Sequence, residues 1–131
     1  MDREKVIRSA KELDVYEKAY NLAMDIFQIS KSWPTEERYS LIDQIRRASR
    51  SVCSNLREAW AKRRYEAHFI SKLTDADGEN SEAETWLDLA KDCSYLNPSI
   101  HERLAAESRQ IGAMLGKMLN NPKAFVPKDR Q

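Results

Sequence analysis

Glycine, proline, histidine and cysteine are all scarce in this chain of 131 residues: 3 Gly, 4 Pro, 2 His and 2 Cys. So few turn formers exclude a fold built from many short elements, and the elements must be long. With two histidines, His68 and His101, a histidine-rich metal centre is excluded. Neither stands at a ligand spacing from a carboxylate or the other histidine, and an inward-facing Glu-x-x-His pair of the di-iron type is missing. Glu66 lies only two residues before His68, which puts the two on different helix faces. The two cysteines, Cys53 and Cys93, lack CxxC spacing, and are expected as small, mostly buried thiols of a cytoplasmic protein.

Other absences narrow the function. No run of eighteen apolar residues occurs, so no membrane span is expected. The first twelve residues mix seven charges with few apolar side chains, which does not match a secretory leader. No glycine-rich phosphate loop, GxSxG elbow or nucleophile–base pair is visible, and no cofactor is expected. Asp77, Glu84 and Glu58 read as ion-pairing or capping carboxylates rather than as a catalytic pair. The chain reads as non-enzymatic.

What is present is amphipathic helix. Hydrophobic residues make up 41% and charged residues 33%, the balance of a globular protein with much exposed helix surface. Residues 15–32 form the first segment, with Tyr16, Ala19, Tyr20, Ala23, Ile26, Phe27 and Ser30 at three- and four-residue steps. Asp14 is its expected N-cap, with Glu17 as in a capping box, and Trp33-Pro34 ends it. A second helix over 35–62 opens on Glu36 and Glu37. It places Leu41, Ile42, Ile45, Ala48, Ser49, Val52, Leu56, Ala59 and Trp60 within about 120° of arc. The third, over 65–95, follows a break at Lys62-Arg63-Arg64 and turns Phe69, Leu73, Ala76, Asn80, Ala83, Leu87, Ala90 and Ser94 inward. Gly78 lies in its middle, where it weakens the helix and offers close approach to a neighbour. Asn97-Pro98 opens the fourth helix, which carries Ile100, Leu104, Ser108, Ile111, Leu115 and Met118 and ends at Asn120-Asn121-Pro122. Gly112 and Gly116 in it form a GxxxG spacing, a weak sign of close packing. No strand pattern competes. The expectation is an all-α, antiparallel up-down-up-down four-helix bundle over residues 13–120, with an N-terminal extension at 1–12 and a C-terminal tail at 121–131.

Net charge is only +1, but its distribution is uneven. Residues 38–72 hold nine Lys/Arg against three Asp/Glu, and residues 73–92 hold one Lys against seven Asp/Glu. One hairpin therefore sets a basic arm against an acidic arm. Arg46, Arg50, Arg57 and Arg64 fall on one strip beside the core stripe, spanning about 40° of arc. Lys62 and Arg63 extend it at the junction. Such a row suits a phosphate backbone; the alternative is a solvated face, or ion pairs to Glu79, Glu82 and Glu84. A second strip, Trp86, Leu89 and Cys93, is apolar outside the inner face of the third helix. It is expected to be an oligomer interface, the alternative being extra core width.

Three stretches carry a resemblance: Leu13-x-Val15-Tyr16; Trp33-Pro34-x-x-Glu37-x-Tyr39-x-Leu41-x-x-Gln44-Ile45-Arg46-Arg47-Ala48; and Ser51-Val52-x-x-Asn55-Leu56-x-Glu58. Together with Phe69, Leu73, Ala76-x-Gly78, Glu82, Leu87 and Tyr95-Leu96, they resemble the bacterial proteins encoded in intervening sequences of 23S rRNA genes, also called the S23 family. The likeness runs over about residues 13–119. Ala59 stands where the family commonly has glycine, and Glu79 where it often has serine, which marks a subgroup. The resemblance implies a bundle that assembles as a homopentamer. It also implies kinship with the accessory proteins of diversity-generating retroelements, which associate with a reverse transcriptase and with RNA or DNA. On that likeness Arg46, Arg50, Arg57, Lys62, Arg63 and Arg64 are candidates for phosphate contacts. Arg47, Asn55, Glu58 and Glu82 match the family's polar positions and are expected to form one hydrogen-bonded network between the second and third helices. The rival to a scaffold that binds nucleic acid without specificity is a protein-interaction adaptor that binds none.

Overall fold

The computed structural model describes residues 6–128. Four α-helices carry it: α1 (Asp14–Ser30), α2 (Leu41–Ala61), α3 (Glu66–Asp92) and α4 (Pro98–Asn120). Short 3-10 turns precede α1 at Ala10–Glu12, precede α2 at Thr35–Glu37 and follow α4 at Pro122–Ala124. Among the described residues there is no strand, and no helix is long and apolar enough to cross a membrane.

Each helix packs on its chain neighbours, and α1 closes the ring on α4. Side-chain partners fix the directions. Arg46 meets Phe27 while Arg57 meets Tyr16. Arg47 meets Glu82 while Glu58 meets Lys72. Asn80 meets Ser108 while Asp88 meets His101, and Lys18 meets Gln110 while Asp25 meets Arg103. Partner numbers run oppositely at every interface, so neighbouring helices are antiparallel all round. This is the expected up-down-up-down bundle.

The core follows the stripes. On α2, residues Leu41, Ile42, Ile45, Ala48, Ser49, Val52, Leu56 and Ala59 are buried, and only Trp60 of the expected set stays at the rim. Phe69, Leu73 and Leu87 of α3 and Leu104, Ile111 and Leu115 of α4 are fully buried. Each such side chain contributes about 1.5–3 kcal/mol by leaving water. On α1, Tyr20 is 52% exposed instead of inward, while Val15 and Leu22 take core positions. The ends of the chain also contribute. Ala10 and Val126 are buried and the Phe125 ring lies 5.7 Å from Phe69, so parts of the extension and tail cover the end of the core.

Helix ends depart from expectation in instructive ways. Asp14 is the first helical residue and Leu13 the N-cap, without a side-chain bond. Asp14 and Glu17 instead serve the positive end of the helix dipole. α2 starts at Leu41, because Ser40 leaves helical geometry (φ −121°, ψ −98°). The carboxylate of Glu37 there accepts from the Ser40 hydroxyl and, at 2.9 Å, from the Tyr95 hydroxyl. Local side-chain bonding of this kind competes with helix continuation. Tyr95 also sets its ring 6.0 Å from buried Trp33, so the α1–α2 connection is fastened to the α3–α4 connection. α3 stops at Asp92, three residues early, because Ser94 adopts φ 65°. The Tyr95 N–H then reaches the Ala90 carbonyl at 2.8 Å and the Ser94 N–H reaches Lys91 at 2.9 Å, a two-bond cap usually built on glycine. α4 opens as its sequence implies: Asn97 accepts from the Ile100 N–H at 2.8 Å, and Pro98 occupies the first turn.

One polar pair crosses the core. Asn80 Nδ2 donates to the Ser108 carbonyl at 2.8 Å, and Ser108 Oγ lies 3.2 Å from Asn80 Oδ1. Both residues are buried. Removing one partner leaves the other unpaired out of water. Asn80→Ala should therefore destabilise the protein by about 1–3 kcal/mol in urea titrations, and adding Ser108→Ala should cost less than the two single changes summed.

The glycines do not mediate close helix contacts. A Cβ placed on Gly78 or Gly116 would meet nothing within 4 Å, and one on Gly112 would touch only Asn80 Nδ2 at 3.5 Å. The expected close approach at Gly78 is thus absent. Gly78→Ala should stabilise the protein by about 1 kcal/mol, read as a rise in thermal midpoint.

Candidate nucleic-acid interface

Burying the apolar arc of α2 turns the adjacent edge toward α1, and with it the arginine strip. Arg46 donates from Nε to Ser30 Oγ at 2.8 Å and from Nη2 to the Phe27 carbonyl at 3.5 Å. These atoms belong to the last turn of α1, the negative end of its dipole. The Arg46 guanidinium also lies 4.8 Å from the Phe27 ring centre, Arg50 stands over the same ring at 5.6 Å, and Lys31 Nζ at 4.7 Å. Arg57 stacks over Tyr16 at 5.6 Å and donates to its hydroxyl at 3.4 Å. Arg63 lies 3.9 Å over Trp60 and bonds its carbonyl at 2.8 Å. Lys62 and Arg64 are exposed at the α2–α3 junction.

None of Arg46, Arg50, Arg57, Lys62, Arg63 or Arg64 forms an ion pair among the described residues. The acids that could have neutralised the strip are engaged elsewhere. Glu79 and Glu82 hold Arg47 at 3.1 and 2.7 Å, and Glu84 faces Arg109 at 3.9 Å. The strip is held by aromatic faces and carbonyl oxygens, which position a cation without cancelling its charge.

Two open grooves adjoin it. One, of ≈ 690 Å³, runs over the outer face of α2 between Arg38, Tyr39, Arg46, Arg47 and Arg50. The other, of ≈ 280 Å³, lies between α1 and α2 and is walled by Tyr16, Tyr20, Met24, Phe27, Arg50 and Cys53. Arg50 lines both, so the grooves meet there. Arg38 and Tyr39 were not among the expected site residues, nor were the α1 aromatics as a group. A signal existed: Tyr16, Tyr20 and Phe27 repeat the four- and seven-residue steps of Arg46, Arg50 and Arg57. Cys53 is half-buried, and burial pushes its thiol up to about 11. Cys93, by contrast, is exposed, against the expectation of two mostly buried thiols, because α3 ends just before it.

The expected polar network divides into three. Arg47 joins Glu79 and Glu82 across α2 and α3. Glu58 pairs with Lys72 at 2.7 Å, also across α2 and α3. Asn55 donates only to Ser51, within α2. Eleven residues of α2 separate Arg47 from Glu58, roughly 16 Å, too far for one network. Of the apolar strip, Trp86 packs partly on the core with its indole N–H shut from solvent, while Leu89 is 43% exposed and Cys93 exposed. No cluster of His, Cys, Asp or Glu among the described residues could hold a metal ion. His101 lies 2.8 Å from Asp88, and His68 stacks edgewise on Tyr65.

Three carboxylates titrate below their ordinary value. The Ser40 and Tyr95 hydroxyls lower Glu37, the Lys72 ammonium lowers Glu58 and the Arg47 guanidinium lowers Glu82. The bond to Glu37 conversely raises Tyr95 to about 12. A depressed folded value gives stability that is complete above the unfolded value, near pH 4.3, and lost as pH falls through the folded one. Thermal midpoints should thus fall modestly between about pH 4.5 and 2, since water screens these surface pairs. Arg47→Gln combined with Lys72→Gln should flatten that drop; an unchanged pH profile in the variant would contradict the assignment.

A family model described as 23S rRNA-intervening sequence protein matches residues 11–117. Among solved structures, the chain is similar to a crystal structure of a protein of unknown function from the S23 ribosomal protein family of Bacteroides thetaiotaomicron VPI-5482. That match has a TM-score of 0.75 and 29% sequence identity, covering 82% of this chain and 96% of that one. Among curated proteins no relative matches. The family description names no enzymatic activity. The matched span takes in all of α1, α2 and α3 and most of α4, and the chain belongs to the 23S rRNA-intervening sequence protein family.

Proposed function

We propose that the protein is a non-enzymatic, oligomeric scaffold that binds nucleic acid without sequence specificity through the basic α1–α2 face. The observation that carries this reading is the open basic strip: six cations that form no ion pair among the described residues, four of them held on ring faces or helix-end carbonyls. Contacts from such cations go to phosphates and carry no base information, hence the lack of specificity. The groove beside the strip is open rather than a closed pocket for a small substrate.

Membership of the 23S rRNA-intervening sequence protein family supports the first of two proposed settings. The protein serves an rRNA intervening sequence, or acts as an accessory to a reverse transcriptase in a diversity-generating retroelement. Oligomerisation, as a homopentamer, uses the strip that contains Leu89 and Cys93, with Trp86 as its half-buried base. The proposed compartment is the cytoplasm, where the two free thiols stay reduced.

Arg46 is unsuited to a binding test because it closes the end of α1. Arg50→Gln, Arg57→Gln and Arg64→Gln together should leave the helical circular dichroism intact. They should weaken RNA binding and lower its salt slope by about 0.7–0.9 per lost phosphate contact. Light scattering should show an oligomer that gains mass with RNA at low salt. A protein indifferent to RNA at low salt would favour the adaptor, and a monomer would remove the interface.

A further inference from the structure

The same face carries aromatic surface that phosphate binding does not require. Tyr39 is 83% exposed and Tyr20 52%, and each lines one of the two grooves. They are not scattered. Tyr39 lines the α2 groove beside Arg38, whose guanidinium stands 5.8 Å over its ring. Tyr20 lines the α1–α2 groove, its ring 6.1 Å from that of Tyr16. Arg50 borders both grooves and Arg57 stands over Tyr16. Cations and exposed rings therefore line two grooves that share Arg50.

Duplex nucleic acid presents phosphates to such a surface but keeps the faces of its bases stacked inside. An exposed tyrosine gains little from it. A single strand offers both: phosphates for the guanidinium groups and free base faces for the rings. Stacking is sequence-tolerant because every base has a π-face, so it accords with phosphate-led binding. The Arg38–Tyr39 stack suits this, since a base laid on the open face of Tyr39 would extend a pile already begun by the guanidinium.

We infer that the α1–α2 face takes single-stranded nucleic acid, with bases seated on Tyr39 and Tyr20 and phosphates on Arg50 and Arg57. This rests on the proposed nucleic-acid function and narrows its ligand class. A second copy of the chain is the competing occupant, because Tyr20 and Met24 are also apolar enough to be covered by protein. The cations along the grooves argue for the polyanion. Two copies meeting through this same face would set basic groove against basic groove, since Asp43 is the one acid lining either groove.

The test compares labelled oligouridylate and oligothymidylate of about 15 nucleotides, within known single-strand site sizes, with a duplex of the same length by fluorescence anisotropy. The parent protein should bind the single strands more tightly. Tyr39→Leu and Tyr20→Leu keep apolar bulk but remove the ring. Each should weaken single-strand binding roughly five- to hundredfold and lower the ratio of single-strand to duplex affinity. Arg50→Gln with Arg57→Gln should weaken both ligands. If the arginine changes act and the tyrosine changes leave the ratio unmoved, the single-strand inference is overturned while the general reading stands. If the arginine changes affect neither ligand, both fall. If Tyr20→Leu lowers the mass in light scattering without changing the ratio, the face is a contact between copies and the inference is overturned.

Discussion

The apolar arc of α2 is the constraint on which the rest of the molecule turns. Eight of its residues, from Leu41 to Ala59, are buried, and a helix with one broad apolar arc has a single rotational setting that removes it from water. That setting places Arg46, Arg50 and Arg57 against α1 and places Arg47 and Glu58 against α3. Everything functional follows from the asymmetry between those two edges. Against α3 the charges meet opposite charges and are neutralised. Against α1 they meet rings and carbonyl oxygens and stay charged.

This division explains how one hairpin can hold strongly opposed local charge without simple cancellation. The acidic arm spends Glu79 and Glu82 on Arg47 alone, and Glu84 on Arg109 of α4. These are exposed or half-exposed pairs, worth little to stability. Their consequence is positional: they draw acid away from the α1–α2 face. The aromatic residues of α1 then act as supports, holding guanidinium groups in place at small entropic cost while leaving a net positive surface. The fastening of the two connections at that end of the bundle, through Trp33, Tyr95 and Glu37, keeps Arg38 and Tyr39 beside the same face.

Much of the fold could be read from residue order. The inward positions of α2, α3 and α4 follow from three- and four-residue steps, and Asn97-Pro98 announced α4 because cap chemistry is local. The reading failed for more than one reason. The start of α2 moved to Leu41 with Glu37 engaged by Ser40 and by Tyr95, 58 residues away. α3 stopped early at Ser94, a residue with no glycine signature. Tyr20 met the apolar period of α1 yet lies outside the core, since periodicity marks a face without saying how far the neighbouring helix extends over it.

The candidate site was legible in part. Its arginines announced themselves by spacing on α2, and the break at Lys62-Arg63-Arg64 by composition. Their partners did not, because α1 and α2 meet only when folded and nothing in the chain order ties Phe27 to Arg46 or Tyr16 to Arg57. The single network expected from Arg47, Asn55, Glu58 and Glu82 failed for the same reason: sequence proximity to a common helix is not proximity in space. By itself the sequence determined helix content, the buried faces and the separation of charge, since these depend on periodicity and on forces that act within a turn or two. Tertiary structure alone decided which charges are cancelled and which stay open, because that depends on which side chains of another helix stand within a few ångströms.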